Sequence, residues 1–327
     1  MNAALAPLRD RVLACPMMPA HHDALERYLD GKLSAEMTLM YALKGEPDVN
    51  ALNDALQSAL TLASVASGDG AALAAAIDAL IGLLRRNRTG CERIARMLRT
   101  GVDTDQPAPS VEQGIAFCRR LFDWSVAQSS ESSVALYSLG SAQILHAATA
   151  EIVELMEAQS LLGPARDVLD LGCGIGRFEV ALSARVRSVT GIDVSPGMIA
   201  EARRRCARLH NVCLATCSGR DLADFDDRSF DLVLAVDSFP YLVQSGMALV
   251  ERHFAEIRRV LRPGGDLLIL EFSYRNDLGR DCDDVWRLAA SHSMDVRTAG
   301  AQPFSVWDGV VFHLVPVSTR SSPKCAR

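Results

Sequence analysis

Hydrophobic positions in the first 128 residues recur at intervals of three and four, which is typical of helices with one buried face. Breaks rich in Gly, Pro, Asp and Ser separate these periodic segments. The break at 100–110 predicts a linker, and the polar break at 128–133 predicts a hinge. The pattern predicts helices over 22–30, 34–43, 49–66, 71–86, 91–98, 111–127 and, beyond the hinge, 141–155.

From residue 166 onward, short apolar runs alternate with segments of helical periodicity. This order predicts an α/β domain with a seven-stranded, mostly parallel sheet and helices on both faces, preceded by an all-α N-terminal region. The last two strands have no long helix between them, so we expect an antiparallel pair at one edge. The predicted strands cover 167–171, 188–193, 211–216, 230–237, 265–272, 294–299 and 310–315, and the helices between them cover 178–184, 198–210, 246–261 and 283–292.

These patterns divide the chain of 327 residues into three predicted parts. Residues 1–128 form an α-helical N-terminal region, 129–317 form the α/β domain, and 318–327 form a disordered tail. The N-terminal region is expected to cover a site, to select a substrate or to form a homodimer.

Composition and charge exclude several classes of protein. Hydrophobic residues make up 49% of the chain and charged residues 23%, which excludes disordered and low-complexity proteins. The net charge of −6 weighs against nucleic acid as a partner. The nine Cys include no Cys-x-x-Cys pair, so we expect reduced thiols in a cytoplasmic protein and no metal site. No uncharged apolar stretch is long enough to cross a membrane, so no membrane span is expected.

The strongest chemical signal is a glycine-rich turn between the first predicted strand and the helix after it. Residues 170–177 read Asp-Leu-Gly-Cys-Gly-Ile-Gly-Arg, and glycine lets a backbone adopt positive φ and approach a ligand closely. Arg177 stands where a dinucleotide-binding turn has its third glycine. Asp170 precedes the first glycine, and its carboxylate would repel a pyrophosphate but can accept hydrogen bonds from an ammonium group.

Polar residues also follow the second and third predicted strands. Asp193 ends the second strand, where a carboxylate can accept hydrogen bonds from both hydroxyls of a ribose. Asp221 and Leu222 follow the third strand. A carboxylate at this place can accept a hydrogen bond from the exocyclic amine of adenine, and the apolar residue after it can cover the face of the base.

Two more motifs complete the set. Asp237 and Ser238 end the buried fourth strand, and Pro-Gly-Gly at 263–265 stops a helix and reverses the chain into the fifth strand. With five motifs in this order, the segment 134–317 resembles the class I S-adenosylmethionine-dependent methyltransferases, which have a Rossmann-like fold. The resemblance implies an enzyme that binds S-adenosyl-L-methionine and leaves S-adenosyl-L-homocysteine as its product.

The resemblance also implies a set of cofactor-binding residues. The glycine turn would hold the methionine end, the acid after the second strand would bind the ribose, and the acid–Leu pair would hold the adenine, with Met198 packed nearby. The end of the fourth strand would line the cofactor near its methyl group, and Tyr137 matches a lid-like stretch before the first strand. The implied cofactor-binding residues are Tyr137, Asp170, Gly172, Cys173, Gly174, Gly176, Asp193, Val194, Met198, Asp221, Leu222, Asp237 and Ser238.

The sequence does not identify a catalytic base. Methyl transfer from a sulfonium is an in-line displacement, for which holding the acceptor in position can suffice. Candidates for a catalytic role near the strand ends are Asp237, Tyr241, Tyr274 and Glu271. The histidines are interpreted as structural residues.

The expected acceptor is a small molecule that is methylated at O, N or C, because the chain is acidic and lacks nucleic-acid motifs. Three alternatives stay open. One is a methyltransferase for a protein or a carrier-bound substrate, which would dock through the helical region. Another is a regulator that binds the cofactor without transferring a methyl group. The third is an aminopropyl transferase on the same fold, which the single acid at Asp237 disfavours, because a polyamine would need paired acids.

Overall fold

The computed structural model describes residues 10, 12–13, 17–64, 70–99 and 108–317. Residues 318–327, predicted as a disordered tail, lie outside the described residues. Most of the predicted linker at 100–110 also lies outside them.

The N-terminal part of the described chain is helical, and polar side chains begin its helices. The Ser34 Oγ atom accepts a hydrogen bond from the Met37 N–H at 3.1 Å, and an Asp48 oxygen accepts one from the Ala51 N–H at 3.0 Å. Such caps satisfy backbone N–H groups that have no partner within the first helical turn. The helices are α1 (Pro19–Leu29), α2 (Ala35–Gly45), α3 (Val49–Ser64), α4 (Gly70–Arg86), α5 (Arg88–Arg99), α6 (Val111–Gln128), α7 (Ser130–Val134) and α8 (Ala142–Ala158), with a 3-10 turn at Leu136–Ser138.

Seven strands form one sheet, and they confirm the predicted α/β fold class. The strands are β1 (Gly163–Leu171), β2 (Val186–Asp193), β3 (Val212–Thr216), β4 (Phe230–Val236), β5 (Leu261–Leu270), β6 (Met294–Ala301) and β7 (Val311–Pro316). Their order in the sheet is β3-β2-β1-β4-β5-β7-β6. The strands β1 to β5 run parallel to one another, whereas β7 is antiparallel to both β5 and β6. The predicted antiparallel pair at one edge is therefore confirmed.

Helices connect most of the successive strands of this sheet. They are α9 (Arg177–Leu182), α10 (Pro196–Arg205), α11 (Phe239–Ser245), α12 (Met247–Val260) and α13 (Leu278–Ser291). Because β1 to β5 are parallel, their carboxyl ends meet at one edge of the sheet. The chain order changes direction beside β1, which has β2 on one side and β4 on the other. Open α/β sheets bind their ligands at such a switch point.

The predicted hinge at 128–133 is wrong, since these residues are helical or cap a helix. Helix α6 continues to Gln128, and α7 begins two residues later. The Ser129 Oγ atom accepts a hydrogen bond from the Ser132 N–H at 3.3 Å, and both serines are buried. The polar composition misled the prediction because serine hydroxyls serve helix starts as well as flexible segments.

Pro-Gly-Gly at 263–265 was predicted to stop a helix, but it lies within strand β5. Helix α12 ends at Val260, and β5 begins at the next residue and runs through 263–265. While β4 advances from Phe230 to Leu232, its partner on β5 moves from Leu261 to Asp266. The extra residues form a bulge, in which Gly264 has a φ of 79°.

The chain forms two compact units. The first contains the described residues up to 99, Leu121–Ile152 and Phe304–Asp308, and the second contains 108–120, Val153–Pro303 and 309–317. This division differs from the predicted boundary at residue 128, because 108–120 group with the sheet and 129–152 group with the helices. The roles assigned to the two parts stay predictions.

The first unit includes a short segment that is distant in sequence, at 304–308. The Ser34 hydroxyl donates to the Val306 carbonyl at 2.8 Å, and the Tyr41 hydroxyl donates to an Asp308 carboxylate oxygen at 2.8 Å. The Val306 N–H donates to a Glu151 carboxylate oxygen at 3.2 Å. These bonds fasten part of the connection between β6 and β7 to the helices of this unit.

The second unit is built around strands that are buried on both faces. The runs Leu232–Val236 of β4 and Leu267–Leu270 of β5 are apolar throughout and fully or almost fully buried. The ring of Phe239 packs edge-on against Phe254 at 5.8 Å between centroids and stacks on Phe272 at 5.9 Å. This aromatic contact holds α11 and α12 against the carboxyl end of β5.

We expect Phe254→Ala to lower the free energy of unfolding by about 3–5 kcal/mol, because it leaves a cavity in this aromatic cluster. Val180→Ala is the matched control, since Val180 is half-exposed and surface changes are within about 0.5 kcal/mol. Urea unfolding followed by circular dichroism measures both. Equal effects of the two substitutions would contradict this packing.

Candidate active site

Three acids and the first glycine of the turn lie at or just after the carboxyl ends of four adjacent strands of the second unit. Gly172 follows β1, Asp193 ends β2, Asp237 follows β4 and Glu271 follows β5. The register pairs Leu171 with Ile192 and Asp170 with Leu234, so the strand ends lie side by side. The motifs that the sequence places after separate strands are therefore brought to one edge of the sheet.

The turn after β1 is held against the end of β2 by backbone hydrogen bonds. The N–H groups of Gly172 and Cys173 both donate to the Ile192 carbonyl, at 2.8 and 3.0 Å. Gly172, Gly174 and Gly176 all have positive φ, of 84°, 54° and 78°. A Cβ atom at Gly172 would lie only 2.6 Å from the Ser238 Cβ atom. Both the backbone conformation and the close approach to Ser238 therefore require glycine at this position.

Asp193 is tied to this turn and to the start of α10. One carboxylate oxygen accepts the Gly174 N–H at 3.0 Å, and the other accepts the Ser195 N–H at 2.8 Å. The Ser195 hydroxyl in turn caps α10 by accepting the Met198 N–H at 3.0 Å. Met198 itself is buried. These bonds fix the Asp193 carboxylate directly below the glycine turn.

Asp170 and Ser238 carry buried polar atoms without a partner. Asp170 is 1% exposed, and among the described residues neither its Oδ2 atom nor the Ser238 Oγ atom has a hydrogen-bond partner. Burial raises the pKa of Asp170 to about 7, with a further contribution from Asp193 that Arg177 opposes. Unpaired buried polar atoms are costly, so they mark a place where a ligand can supply the missing partners.

Glu179 is a site residue that the sequence analysis missed. It lies in the first turn of α9, is 0% exposed, and neither of its carboxylate oxygens has a partner among the described residues. A Cβ atom at Gly191 of β2 would overlap its Oε1 atom. Burial and the nearby Asp170 raise the pKa of Glu179. The available signal was a single acid in the otherwise apolar run 178–182.

Asp221 and Leu222, which follow β3, both make contacts within the fold, and their cofactor-binding role stays a prediction. An Asp221 oxygen accepts the Ala223 N–H at 3.3 Å, and Leu222 is buried in the core with Ile192. Gly219, with a φ of 74°, approaches Val194 so closely that a Cβ atom there would lie 2.7 Å from a Val194 methyl carbon.

The first half of α6 also belongs to this edge, which the sequence analysis did not foresee. A Cβ atom at Gly219 would lie 3.1 Å from the Ile115 Cγ2 atom. Gly114 packs so closely on Ser245 of α11 that its own Cβ would overlap that serine. Glu112 pairs with Arg220 at 3.1 Å. A glycine inside a helix was the available sign of such a close contact.

The candidate catalytic residues Asp237, Tyr241 and Tyr274 lie together. The Tyr274 hydroxyl donates to an Asp237 oxygen at 2.9 Å, and the two tyrosine rings meet edge-on at 5.8 Å between centroids. Burial and the Asp237 charge raise the pKa of Tyr241. Asp237 has a φ of 57°, an uncommon backbone conformation for this residue type. This grouping supplies hydroxyl donors beside a carboxylate.

The remaining candidates lie elsewhere or make structural hydrogen bonds. A Glu271 oxygen accepts the Val310 N–H at 3.2 Å. The His253 ring bonds to the Leu249 carbonyl at 2.9 Å, and His313 lies 2.9 Å from Asp266. Tyr137 belongs to the first unit, where its buried ring stacks on Trp307 at 5.9 Å between centroids.

Neither a metal cluster nor a membrane-spanning helix is found in the described part of the chain. No group of three or more His, Cys, Asp or Glu side chains among those residues could hold a metal ion. No helix within the same ranges is both long enough and apolar enough to cross a membrane.

Known proteins similar to this chain share its α/β part. Residues 168–265 match the family described as a methyltransferase domain. A demethylmenaquinone methyltransferase from Tropheryma whipplei is 37% identical over 108 residues, which are 33% of this chain and 42% of that protein. A 23S rRNA (uracil(1939)-C(5))-methyltransferase from Stenotrophomonas maltophilia is 38% identical over 112 residues, which are 33% of this chain and 22% of that protein. The chain thus spans less than half of the length of either relative.

A solved structure shows the same fold. Phosphoethanolamine N-methyltransferase 1 from Haemonchus contortus, in complex with phosphoethanolamine and S-adenosylhomocysteine, superposes with a TM-score of 0.54. The match has 21% sequence identity and covers 66% of this chain and 52% of that chain.

We expect Asp170→Asn to change how stability depends on pH. The pKa of Asp170 is raised from 3.8 to about 7 in the folded chain, so the folded state binds more protons than the unfolded state between those values. The wild-type chain therefore loses stability as the pH rises through this range, whereas Asn does not titrate. The variant should gain on the order of a few kcal/mol relative to the wild type from pH 4 to pH 7.

Urea unfolding at several pH values measures this difference. Asp224→Asn is the control, because Asp224 is an exposed acid of the loop after β3 and should show no such change. A difference between Asp170→Asn and the wild type that stays constant with pH would contradict the buried position of Asp170.

Proposed function

We propose that the protein is a class I S-adenosylmethionine-dependent methyltransferase acting on a small molecule, which the match of residues 168–265 to the methyltransferase-domain family supports. One observation carries the proposal. At one edge of the sheet, a turn of three positive-φ glycines is hydrogen-bonded to Asp193 and lies beside buried atoms of Asp170 and Ser238 that have no partner among the described residues.

These residues fit the cofactor. The glycine turn leaves no Cβ atom between its backbone and a ligand, and the unpartnered Asp170 oxygen suits the ammonium group of the methionine end. The two oxygens of Asp193 suit the adjacent hydroxyls of a ribose. In this proposal the cofactor-binding residues are those of the turn (Asp170, Gly172, Cys173, Gly174 and Gly176), with Asp193, Val194, Met198, Asp221, Leu222, Asp237 and Ser238.

The bound S-adenosyl-L-methionine would supply an electrophilic methyl group on a sulfonium, leaving S-adenosyl-L-homocysteine. The chain itself contributes positioning, which is enough to lower the barrier of an in-line displacement by about 7–11 kcal/mol in favourable cases. Backbone hydrogen bonds hold the turn and Asp193 before any ligand binds. Little reorganisation is therefore required when the cofactor enters.

Asp237, Tyr241 and Tyr274 are proposed to orient the acceptor. Because burial raises the pKa of Tyr241, its hydroxyl stays protonated near neutral pH and acts as a hydrogen-bond donor. Asp237 accepts the Tyr274 hydroxyl and is the group of this cluster that can take up a proton from an acceptor oxygen, nitrogen or carbon.

A small-molecule acceptor is supported by two observations. The demethylmenaquinone methyltransferase relative is matched over a larger share of its length than the rRNA methyltransferase, at 42% against 22%. The net charge of −6 disfavours a polyanionic acceptor. A cytoplasmic location and a homodimer through the N-terminal helices stay predictions.

Incubation with S-adenosyl-L-methionine that carries a labelled methyl group tests the function. With a metabolite extract as the source of acceptors, we expect a labelled small molecule by untargeted mass spectrometry, together with S-adenosyl-L-homocysteine. Cofactor binding without any labelled product would instead indicate a regulator. Label on protein or RNA would contradict the proposed class of acceptor.

We expect Asp193→Ala to weaken the binding of S-adenosyl-L-homocysteine on the order of 100-fold, because it removes charged hydrogen bonds to the ribose. It also removes the carboxylate that holds the Gly174 and Ser195 N–H groups. Calorimetric titration measures the dissociation constant, and Asp224→Ala controls for the loss of one negative charge. Unchanged binding in Asp193→Ala would contradict the ribose assignment.

A further inference from the structure

Asp170 and Glu179 form a buried carboxyl pair beneath the glycine turn. Asp170 lies in β1, where it pairs with Gly191 of β2, and the Glu179 Oε1 atom, from the first turn of α9, takes the place of a side chain at Gly191. The Asp170 charge contributes to the raised pKa of Glu179. The Glu179 carboxylate fills the space beside Gly191 and Cys173, where a Cβ atom of residue 191 would also lie 2.9 Å from the Cys173 Cβ. Three carboxylate oxygens of the pair lack a hydrogen-bond partner among the described residues.

The groups that face the pair cannot neutralise two negative charges. Asp193, from β2, adds a negative charge that acts on both carboxyls. Arg177, on the same helix as Glu179, favours the ionised form of Asp170. The thiols of Cys173 in the turn and Cys206 after α10 are further titratable groups on which Glu179 acts, and burial raises the pKa of both, so they stay neutral.

Ionised carboxylates are poorly tolerated in such surroundings unless they are paired. Two of them side by side, with one arginine and a third acid nearby, favour a state in which the pair keeps a proton. A ligand cation that reaches the pair would favour the loss of this proton, because the cation is a partner for the ionised carboxylate.

We propose that the carboxyl pair of Asp170 and Glu179 holds one proton in the ligand-free protein and releases it when the ammonium group of the cofactor binds at the glycine turn. This inference rests on the proposed function. The step is balanced: a neutral carboxyl group and the ligand ammonium become a carboxylate–ammonium pair, and the proton goes to the solvent. No other reactant is needed.

Proton release makes binding depend on pH in one direction. Where one proton leaves for each ligand bound, the affinity rises tenfold for each unit of pH. Since the pKa of ligand-free Asp170 is about 7, the affinity should rise up to that pH and level off above it. Only ligands that carry the amino-acid end should behave in this way.

Calorimetric titration of the full chain at pH 6, in two buffers of different ionisation enthalpy, counts the protons released. S-adenosyl-L-homocysteine carries the ammonium group and is not consumed, whereas 5′-methylthioadenosine shares its adenosine and thioether but lacks the amino acid. We expect about one proton released with the former and none with the latter. The affinity for the former should rise about tenfold from pH 5.5 to 6.5.

Glu179→Gln tests the role of the pair directly, because it keeps the size of the side chain and removes one ionisable group. We expect this variant to release fewer protons than the wild type and to show a flatter pH dependence, although the burial of Asp170 remains. Glu157→Gln is the matched control. Glu157 is half-exposed and pairs with Arg185 at 2.8 Å, so its loss should leave proton release unchanged.

Several outcomes would overturn the inference. One is binding of S-adenosyl-L-homocysteine to the wild type at pH 6 without proton release, which leaves the proposed function intact. Equal proton release with 5′-methylthioadenosine, or undiminished proton release in Glu179→Gln, would mean that the proton does not come from the carboxyl pair. Absence of S-adenosyl-L-homocysteine binding at every pH would instead contradict the proposed function itself. If Glu179→Gln does not fold, the comparison of the two ligands on the wild type still tests the inference.

Discussion

The hydrogen bonds from the Gly172 and Cys173 N–H groups to the Ile192 carbonyl organise the whole carboxyl edge of the sheet. They close the turn after β1 onto the end of β2, which brings the Gly174 N–H to Asp193. The turn then lies so near Ser238 that a side chain at Gly172 would collide with it. The ends of β1 and β2 are thereby joined by backbone hydrogen bonds, and Ser238, which follows β4 and Asp237, packs closely against the turn.

This tight arrangement has an electrostatic cost. It encloses Asp170, Glu179 and Asp193 between buried strands and a helix, where water cannot solvate them. Asp193 is compensated by two backbone N–H groups, whereas Asp170 and Glu179 have oxygens without a partner in the described part of the chain. Proteins retain such unsatisfied groups chiefly where they serve a function, so the local loss of stability is consistent with a binding site.

Much of the α/β part could be predicted, and the reason is local. All seven strands overlap their predicted ranges. The clearest are β4 and β5, because continuous apolar runs in the parallel part of the sheet are distinct from the periodicity of the helices between them. Asp170, Asp193 and Asp237 could be found because each stands next to a strand end. Glu179 and Ile115 could not, since their place in the site depends on what packs against their helices. The prediction of a hinge at 128–133 was wrong for a related reason, because the Ser129 hydroxyl in this segment caps helix α7.

The sequence by itself determined the order of strands and helices, the glycines of the turn and the acids at the strand ends. Each of these follows from the chemistry of a few neighbouring residues. Only the tertiary structure decided that 108–120 group with the sheet and that 304–308 group with the helices. It also decided that Glu179, whose oxygens have no partner within the described ranges, lies near Asp170. Those facts depend on contacts between distant segments, and the cost of burying a charge is set by everything that surrounds it.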